Sequence, residues 1–349
     1  MRIHFWRNLR LISVIALLMG SIAVFADGGK LSGLFFSDYY YIAANHNEDL
    51  KSRNGFWIRR IYLKYEQKLN ETFSTRVRLE MGSPDGLRDG VFGTMRPFVK
   101  DSYLKWSPKT IDKDIYFGLS STPTFSVMEP LWGYRPVEKT LLDLQKLGRT
   151  RDFGIAVKGH VPGSDILSYH AMVGNGASTG TETNKYKKGY LSATLKPSEG
   201  LLAQGYVDFE PRTPDTNRMT LMSIVAYKNE KFRAGGQFVH QIRTQGEGQD
   251  DVTTQGLSIF GVAEVKPAKV WVFARIDRLF DPNPAGPSIA YVPISDATKS
   301  NTIIAGIDLS PAKDVHIIPN LFVVIYDQPD QGDQPDTDVM PRLTIYFLF

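Results

Sequence analysis

Arginine side chains recur at two-residue spacing in the segment FSTRVRLEM, residues 73–81. Arg76 and Arg78 alternate with Val77 and Leu79, and in an extended strand this alternation places the two arginines on one face. A face with two arginines must contact water. Its charges act on dissolved anions, and salt screens that interaction. The spacing therefore predicts an amphipathic strand whose charged face meets solvent and ions.

Residues that could catalyse a reaction are sparse. The chain has no cysteine, which excludes disulfides, thiolate metal sites and cysteine nucleophiles. The histidines beyond residue 26 lack the spacing that gathers metal ligands. Ser168 and His170 share a strand face, but a hydrolase also needs a placed acid and oxyanion donors. We expect neither an enzyme nor a cofactor; a hydrolase that uses Ser168 is the less favoured alternative.

Residues 1–26 have the features of a secretory signal peptide. Arg2, Arg7 and Arg10 precede the apolar run LISVIALLMG, and small residues lead to Ala26. That run is shorter than the roughly 20 residues of a membrane-spanning helix, so an uncleaved anchor is the lesser alternative. Cleavage reduces 41 basic residues to 38 and leaves all 37 acidic ones, a net charge of +1. This balance argues against a nucleic-acid partner.

Residues 27–349 read as one all-β domain. Sixteen segments have strand character: 30–44, 55–69, 73–82, 96–107, 114–122, 151–161, 166–175, 187–197, 201–211, 218–229, 232–243, 252–266, 269–280, 302–310, 315–327 and 338–349. Short connections, such as 162–165, alternate with long ones, such as 123–150 and 281–301. A soluble β-sandwich or propeller is the alternative, but neither predicts long loops at one end only.

Long loops at one end and short turns at the other are typical of outer-membrane barrels, in which tight turns and longer external loops join an even number of tilted strands. Lipid offers no hydrogen-bond partner, so every strand edge has to be paired. We therefore predict a transmembrane antiparallel up-and-down β-barrel with 16 strands. A barrel of that width is expected to enclose a water-filled passage, because side chains cannot fill it.

Alternation along each strand assigns a set of basic residues to this passage: Arg60, Lys64, Arg76, Arg78, Lys105, Lys158, Arg233 and Arg275. The same count places Asp101, Asp152, Asp208, Asp277 and Arg342 beside them. The fourth, tenth and fifteenth strands alternate poorly. For most of these charges the favoured role is that of a solvated filler or of a partner in an internal ladder of ion pairs that stiffens the wall, while a few at the narrowest point would set selectivity.

The connection at 123–150 is too apolar for a free external loop. We predict that this third external loop folds inward, with a helical turn around residues 138–147, and acts as a constriction. Its candidate charged residues are Glu129, Arg135, Glu138, Lys139, Arg149, Arg151 and Asp152. The alternative is that Leu141, Leu142, Leu144 and Leu147 pack the segment over the mouth or against a neighbouring subunit.

Two stretches resemble the phosphate-selective porin O and P family. One runs from Asp114 to Gly159 and contains Glu138-Lys139 and the Arg151-Asp152-Phe153-Gly154 strand start. The other, GFWIRRIYLKYEQKLNETFSTRVRLEM, has paired arginines at 59 and 60 followed by a Lys-Leu-Asn turn. Together they cover roughly a quarter of the chain. The resemblance implies a sixteen-stranded trimeric porin with an inward-folded third loop.

These observations predict a passive outer-membrane channel for small hydrophilic solutes and ions, with a weak anion or phosphate preference. The expected partners are outer-membrane lipid, small anions, two further copies in a homotrimer, and the barrel-insertion machinery, which would read the terminal strand ending in Phe349. Export by the Sec route to the bacterial outer membrane is expected. The alternatives are a non-conducting barrel that serves as an adhesin or envelope anchor and, less favoured, an outer-membrane hydrolase.

Overall fold

The computed structural model describes residues 28–83, 94–213, 216–289 and 292–349. The predicted signal peptide lies outside the described residues. Sixteen strands form one closed barrel in which each strand is antiparallel to both neighbours and β1 pairs with β16. The strands are β1 Lys30–Tyr41, β2 Asn54–Lys68, β3 Phe73–Met81, β4 Phe98–Trp106, β5 Lys113–Ser121, β6 Arg151–His160, β7 Leu167–Gly174, β8 Lys188–Ser198, β9 Leu201–Thr213, β10 Thr216–Lys228, β11 Phe232–Thr244, β12 Val252–Lys266, β13 Val270–Leu279, β14 Ser300–Ala312, β15 Val315–Tyr326 and β16 Asp338–Leu348.

The predicted fold class is confirmed, and each strand boundary lies within three residues of the expected one. Tight turns, such as 199–200, lie at the barrel end where β1 begins and β16 ends, and the long connections lie at the other end. One expected long connection, 212–217, is shorter than predicted. β9 and β10 extend into it and leave only residues 214–215 between them, outside the described residues.

The two faces of the wall differ in chemistry. One alternate set of side chains points outward and is apolar and exposed, as expected for a surface that meets hydrocarbon. Members of this outer set include Ile155, Val173, Leu191, Phe209, Val225, Ile259 and Ile276. The other set points into the barrel and carries nearly all the buried charged and polar groups of the strands.

Two β-bulges change which residues face inward. The register between β1 and β2 shifts between Phe36 and Ser37, so Arg59 and Arg60 are both turned inside. The register between β3 and β4 shifts after Arg78, which turns Lys100 inward beside Asp101. A bulge adds one residue to one strand and locally breaks the alternation of faces. Both bulges therefore increase the charge on the inner wall.

Two short helices interrupt the connection between β5 and β6, α1 at Met128–Trp132 and α2 at Leu141–Leu144. Single 3-10 turns lie at Glu48–Leu50 and Gly286–Ser288. Within the described part of the chain, no helix has the length and apolar character needed to cross a membrane.

Candidate functional site

The inner wall is divided into an apolar half and a charged half. From β10 to β16 a group of almost fully buried apolar side chains, which lie among buried polar ones, forms the apolar half: Met222, Ile224, Val239, Phe260, Val262, Phe273, Ile304, Ile318, Phe322, Val324 and Met340. From β2 to β6 the inward side chains are mainly arginine, lysine, aspartate and glutamate. Exposure of this apolar surface to water inside the barrel would be unfavourable, so another part of the chain must cover it.

Residues 122–150, called the third loop below, cover the apolar half. Trp132, at the end of α1, has no exposed surface. Its ring meets Phe260 and Phe273 edge-on at centroid distances of 5.9 and 5.8 Å. Gly133 follows with φ +72°, a left-handed conformation in which a side chain would collide with Arg233. Apolar burial of this kind contributes about 1.5–3 kcal/mol for each large side chain, so the loop is fixed to the wall.

The predicted helical turn around residues 138–147 is present in part, as α2. Leu141, Leu142, Leu144 and Leu147 are buried within this single chain, with at most 1% of their surface exposed. The side chain of Gln241 on β11 donates a hydrogen bond of 2.6 Å to the carbonyl of Leu147. These leucines therefore pack on the barrel's own inner wall and are not left for a neighbouring subunit.

A buried charge cluster joins the tip of the third loop to β1, β2 and β16. Glu138 accepts a hydrogen bond of 3.1 Å from Arg342 and lies 3.6 Å from Arg59. Arg59 also bonds Asp38 at 3.1 Å and donates to the carbonyls of Pro136 and Val137. Burial alone would raise the pKa of Glu138, but the charges of Arg59 and Arg342 outweigh it and bring that pKa to about 2.

The charged half of the wall forms a ladder of shared ion pairs. Three carboxylates, Glu66, Glu80 and Asp101, lie within ion-pair distance of six bases: Arg60, Lys64, Arg76, Arg78, Lys100 and Arg151. Glu80, for example, lies 2.9 Å from Arg60 and 3.0 Å from Lys100. These side chains point into the barrel and pair with one another, and the surface that they form has more bases than acids.

The other basic residues predicted to line the passage lie in two different environments. Lys105 faces the charged half and pairs with Asp114 at 2.8 Å. Lys158 lies over the ring of Tyr116 at 4.6 Å. Arg233 and Arg275 also point inward but lie under the third loop. Arg275 has no exposed side-chain surface and stacks on Trp132 at 4.8 Å, so it does not contact a solvent passage.

The charged residues predicted for the third loop separate into three groups. Arg135 pairs with Glu129 at 3.4 Å and with Asp143 at 3.1 Å, within the loop itself. Glu138 is buried in the cluster described above, and the backbone N–H of Lys139 donates to its carboxylate.

Three further predicted residues close the loop. The Arg149 carbonyl accepts a hydrogen bond from Thr122, and Arg151 pairs with Asp101 on β4. Asp152 is buried and accepts hydrogen bonds from Tyr190 at 2.8 Å and from the Gly176 backbone at 2.7 Å. It therefore fixes the neighbouring connection and does not face the passage.

Sequence reasoning missed Arg59 and Lys100 as inward residues, because strict alternation assigns them to the outer face. The paired arginines at 59 and 60 were the one available signal of a bulge, since an arginine on the lipid face is costly. Ser168 and His170 share the inner face as expected, but Ser168 donates to the Thr194 carbonyl and no hydrogen bond joins it to His170. Among the described residues, no cluster of histidine and acidic side chains could hold a metal.

Several solved structures are similar to this chain. An anion-selective porin from Comamonas acidovorans has 13% identity and a TM-score of 0.65, over 92% of this chain and 99% of that one. OprB of Pseudomonas putida has 10% identity and a TM-score of 0.68, over 94% and 96%. OmpT, an outer membrane protein of Vibrio cholerae solved in a trimer form, has 11% identity and a TM-score of 0.59, over 93% and 100%.

At these identities the similarity establishes a shared fold, the sixteen-stranded porin barrel. No protein-family model matches the sequence, and no curated protein matches it. The specific resemblance to phosphate-selective porins is therefore not confirmed.

Proposed function

We propose that the protein is a porin of the bacterial outer membrane, exported by the Sec route, through which small hydrophilic solutes and ions diffuse passively. The apolar outer face suits insertion in a bilayer, and the closed strand order leaves no unpaired edge in lipid. The anion-selective porin and the other outer-membrane proteins of the same fold support this assignment.

The passage follows the charged half of the wall. The third loop, anchored on the apolar half through Trp132 and Glu138, acts as the constriction, and the part of the β2 to β6 surface that meets solvent includes Lys64, Glu66 and Arg76. Lys64 and Arg76 keep about a third of their side-chain surface exposed, so they can meet a permeating ion. Arg60 and Arg78 are more buried, with 8% and 13% of their side-chain surface exposed.

A weak anion preference is the selectivity that this surface supports best. The single observation that carries it is the sharing of three carboxylates, Glu66, Glu80 and Asp101, among six bases. Each base is partly neutralised, so the excess charge attracts anions without binding any one of them tightly. Phosphate is one such anion, but we assign no phosphate-binding site.

The proposed partners follow from the same account. Outer-membrane lipid contacts the apolar face, and the barrel-insertion machinery reads the terminal strand, which ends in Phe349. The trimer form of the Vibrio cholerae protein supports a homotrimer. We propose that residues 27–349 form a single barrel domain.

Current through a planar lipid bilayer tests the proposal directly. The refolded chain without residues 1–26 should give discrete, stepwise increases in conductance in KCl. A correctly folded barrel that inserts but carries no current would instead support the non-conducting adhesin or envelope anchor. Release of fatty acid from phospholipid, lost in Ser168→Ala, would support the hydrolase.

A further inference from the structure

A cavity of about 360 Å³ lies between the start of the third loop and strands β5 to β9, with Asp112 of the turn before β5 at its edge. Its position is set by register, because Lys158 on β6 is opposite His170 on β7, and His170 is opposite Ser192 on β8. Ser126 and Val127 of the third loop lie across from them. Binding sites for small molecules have volumes of about 300–1,000 Å³, so the space is sufficient for a small solute.

Two polar side chains of this cavity lack partners. His170 is 6% exposed, and neither of its ring nitrogens has a hydrogen-bond partner among the described residues. Gln204 is 4% exposed and donates to the Thr194 hydroxyl at 2.9 Å, while its carbonyl oxygen is unpaired. Buried polar groups are normally hydrogen-bonded. A half-turn of the imidazole exchanges its nitrogen and carbon positions within the same volume, so the ring can present a nitrogen to a guest.

The charges that line the cavity are balanced. Two lysines, Lys113 and Lys158, face two aspartates, Asp112 and Asp114. Asp114 is held by Lys105 at 2.8 Å, and Asp112 lies 3.1 Å from His160. A cavity with two carboxylates and no net charge gives little attraction to a free anion or cation, in contrast with the ladder of bases on β2 to β4.

The remaining lining is rich in hydroxyl groups, contributed by Ser126, Ser168, Ser192 and Thr194. A hydroxyl can both donate and accept a hydrogen bond, as can neutral histidine with its two nitrogens. The unpaired carbonyl of Gln204 needs a donor, which a bare anion cannot supply. The complementary ligand is therefore one that carries several hydroxyl groups.

We propose that this cavity binds a small neutral polyhydroxylated solute, a polyol or monosaccharide, at the side of the passage. The inference rests on the proposed channel function and adds to it a solute class and a place where that solute pauses. His170 and Gln204, whose unpaired atoms are covered in the free barrel and turn towards the guest when it binds, supply the hydrogen bonds that fix it, and Val127 contacts its apolar C–H surface.

Sorbitol is the probe, and gluconate is its charged counterpart of similar size. The reduction of single-channel current and the heat of binding in detergent are measured for the wild type, His170→Phe, Gln204→Leu and the control Ser258→Ala. Ser258 also faces inward and is buried, but it does not line the cavity. Sorbitol should reduce the current saturably, and each cavity variant should raise the half-saturating concentration about five- to tenfold, the loss expected for one or two hydrogen bonds.

The control variant should match the wild type, and gluconate should bind no better than sorbitol. The proposal is overturned if sorbitol lowers the current linearly and equally in all four proteins, as viscosity alone would do. It is also overturned if gluconate binds more tightly than sorbitol, which would indicate an anion site. If calorimetry detects sorbitol binding but the barrel carries no current, the channel proposal is refuted and the cavity proposal stands. The two proposals can therefore fail separately.

Discussion

The carboxylate of Glu138 lies 3.1 Å from the guanidinium of Arg342, although the two residues are 204 positions apart in the sequence. This contact, with Arg59 as the third member, joins the tip of the third loop to the strands that close the barrel. Since all three side chains are buried, the position of the loop depends on a charge arrangement that water does not screen.

Replacing Glu138 by glutamine should loosen the third loop, because it leaves Arg59 and Arg342 with too little negative charge around them. Removing one partner of a buried pair costs about 3–5 kcal/mol. We expect a lower thermal midpoint and faster trypsin cleavage after Lys139 and Lys146.

Glu129→Gln is the matched control, because the Glu129 side chain is about one-third exposed and pairs with Arg135 of the same loop. Its cost should stay below about 1 kcal/mol. Equal effects of the two substitutions would show that the buried cluster does not hold the loop.

The docking of the third loop should depend on pH in a defined direction. The folded pKa of Glu138 is about 2, below its ordinary value of 4.5. A group with a depressed folded pKa gives its full stabilisation above the ordinary value and loses it as the pH falls towards the folded value. Tryptophan fluorescence, to which the buried Trp132 of the loop contributes, should be constant when measured at pH 7 to 5 and should change between pH 4.5 and 2.

The Glu138→Gln protein serves as the reference for this titration, since its loop lacks the titrating carboxylate. Its fluorescence should already differ from that of the wild type at pH 7 and change little on acidification. A loosening of the wild-type loop between pH 7 and 5 would assign the pH dependence to a different group.

Deletion of residues 127–146 should raise single-channel conductance, because this segment occupies the interior over the apolar half of the wall. The deletion also uncovers Phe260, Phe273 and Ile304. A glycine-serine segment of equal length is therefore the companion variant, and it should raise conductance as well. Unchanged conductance in both proteins would mean that the segment does not narrow the passage.

Replacing Lys64 and Arg76 together by glutamine should reduce the anion preference. Their side chains are the most exposed of the six bases that share Glu66, Glu80 and Asp101. We expect the anion-to-cation permeability ratio to fall by roughly a factor of two to three. Lys109→Gln is the control, because Lys109 pairs with Glu71 at an exposed turn outside the wall. An equal fall of the permeability ratio in Lys109→Gln would show that the ladder does not cause the anion preference.

The barrel itself could be predicted from the sequence because strand faces and turn residues are local signals. The strand FSTRVRLEM keeps its expected alternation, with Arg76, Arg78 and Glu80 inside and Val77 outside. What alternation cannot reveal is a bulge. The shift after Arg78 is the reason that β4 alternates poorly, and it explains why Lys100 was not assigned to the interior.

The poor alternation of β10 and β15 has a different cause. On β10, Ile224 and Val225 are both apolar, and on β15 so are Val324 and Ile325. The inward member of each pair is part of the core formed with the third loop, so both faces of these strands are apolar. Such a core depends on contacts between distant segments, which a strand-by-strand pattern does not contain. The sequence reveals the leucines of α2 but does not reveal the inner-wall surface on which they pack.

The reversal potential of the wild-type channel in asymmetric KCl tests the central claim most directly, namely that an excess of bases lines the open half of a loop-filled barrel. The account predicts a weak preference for chloride at low salt that declines towards 1 M, where screening acts over about 3 Å. A preference for potassium, or a chloride preference that salt does not reduce, would contradict it.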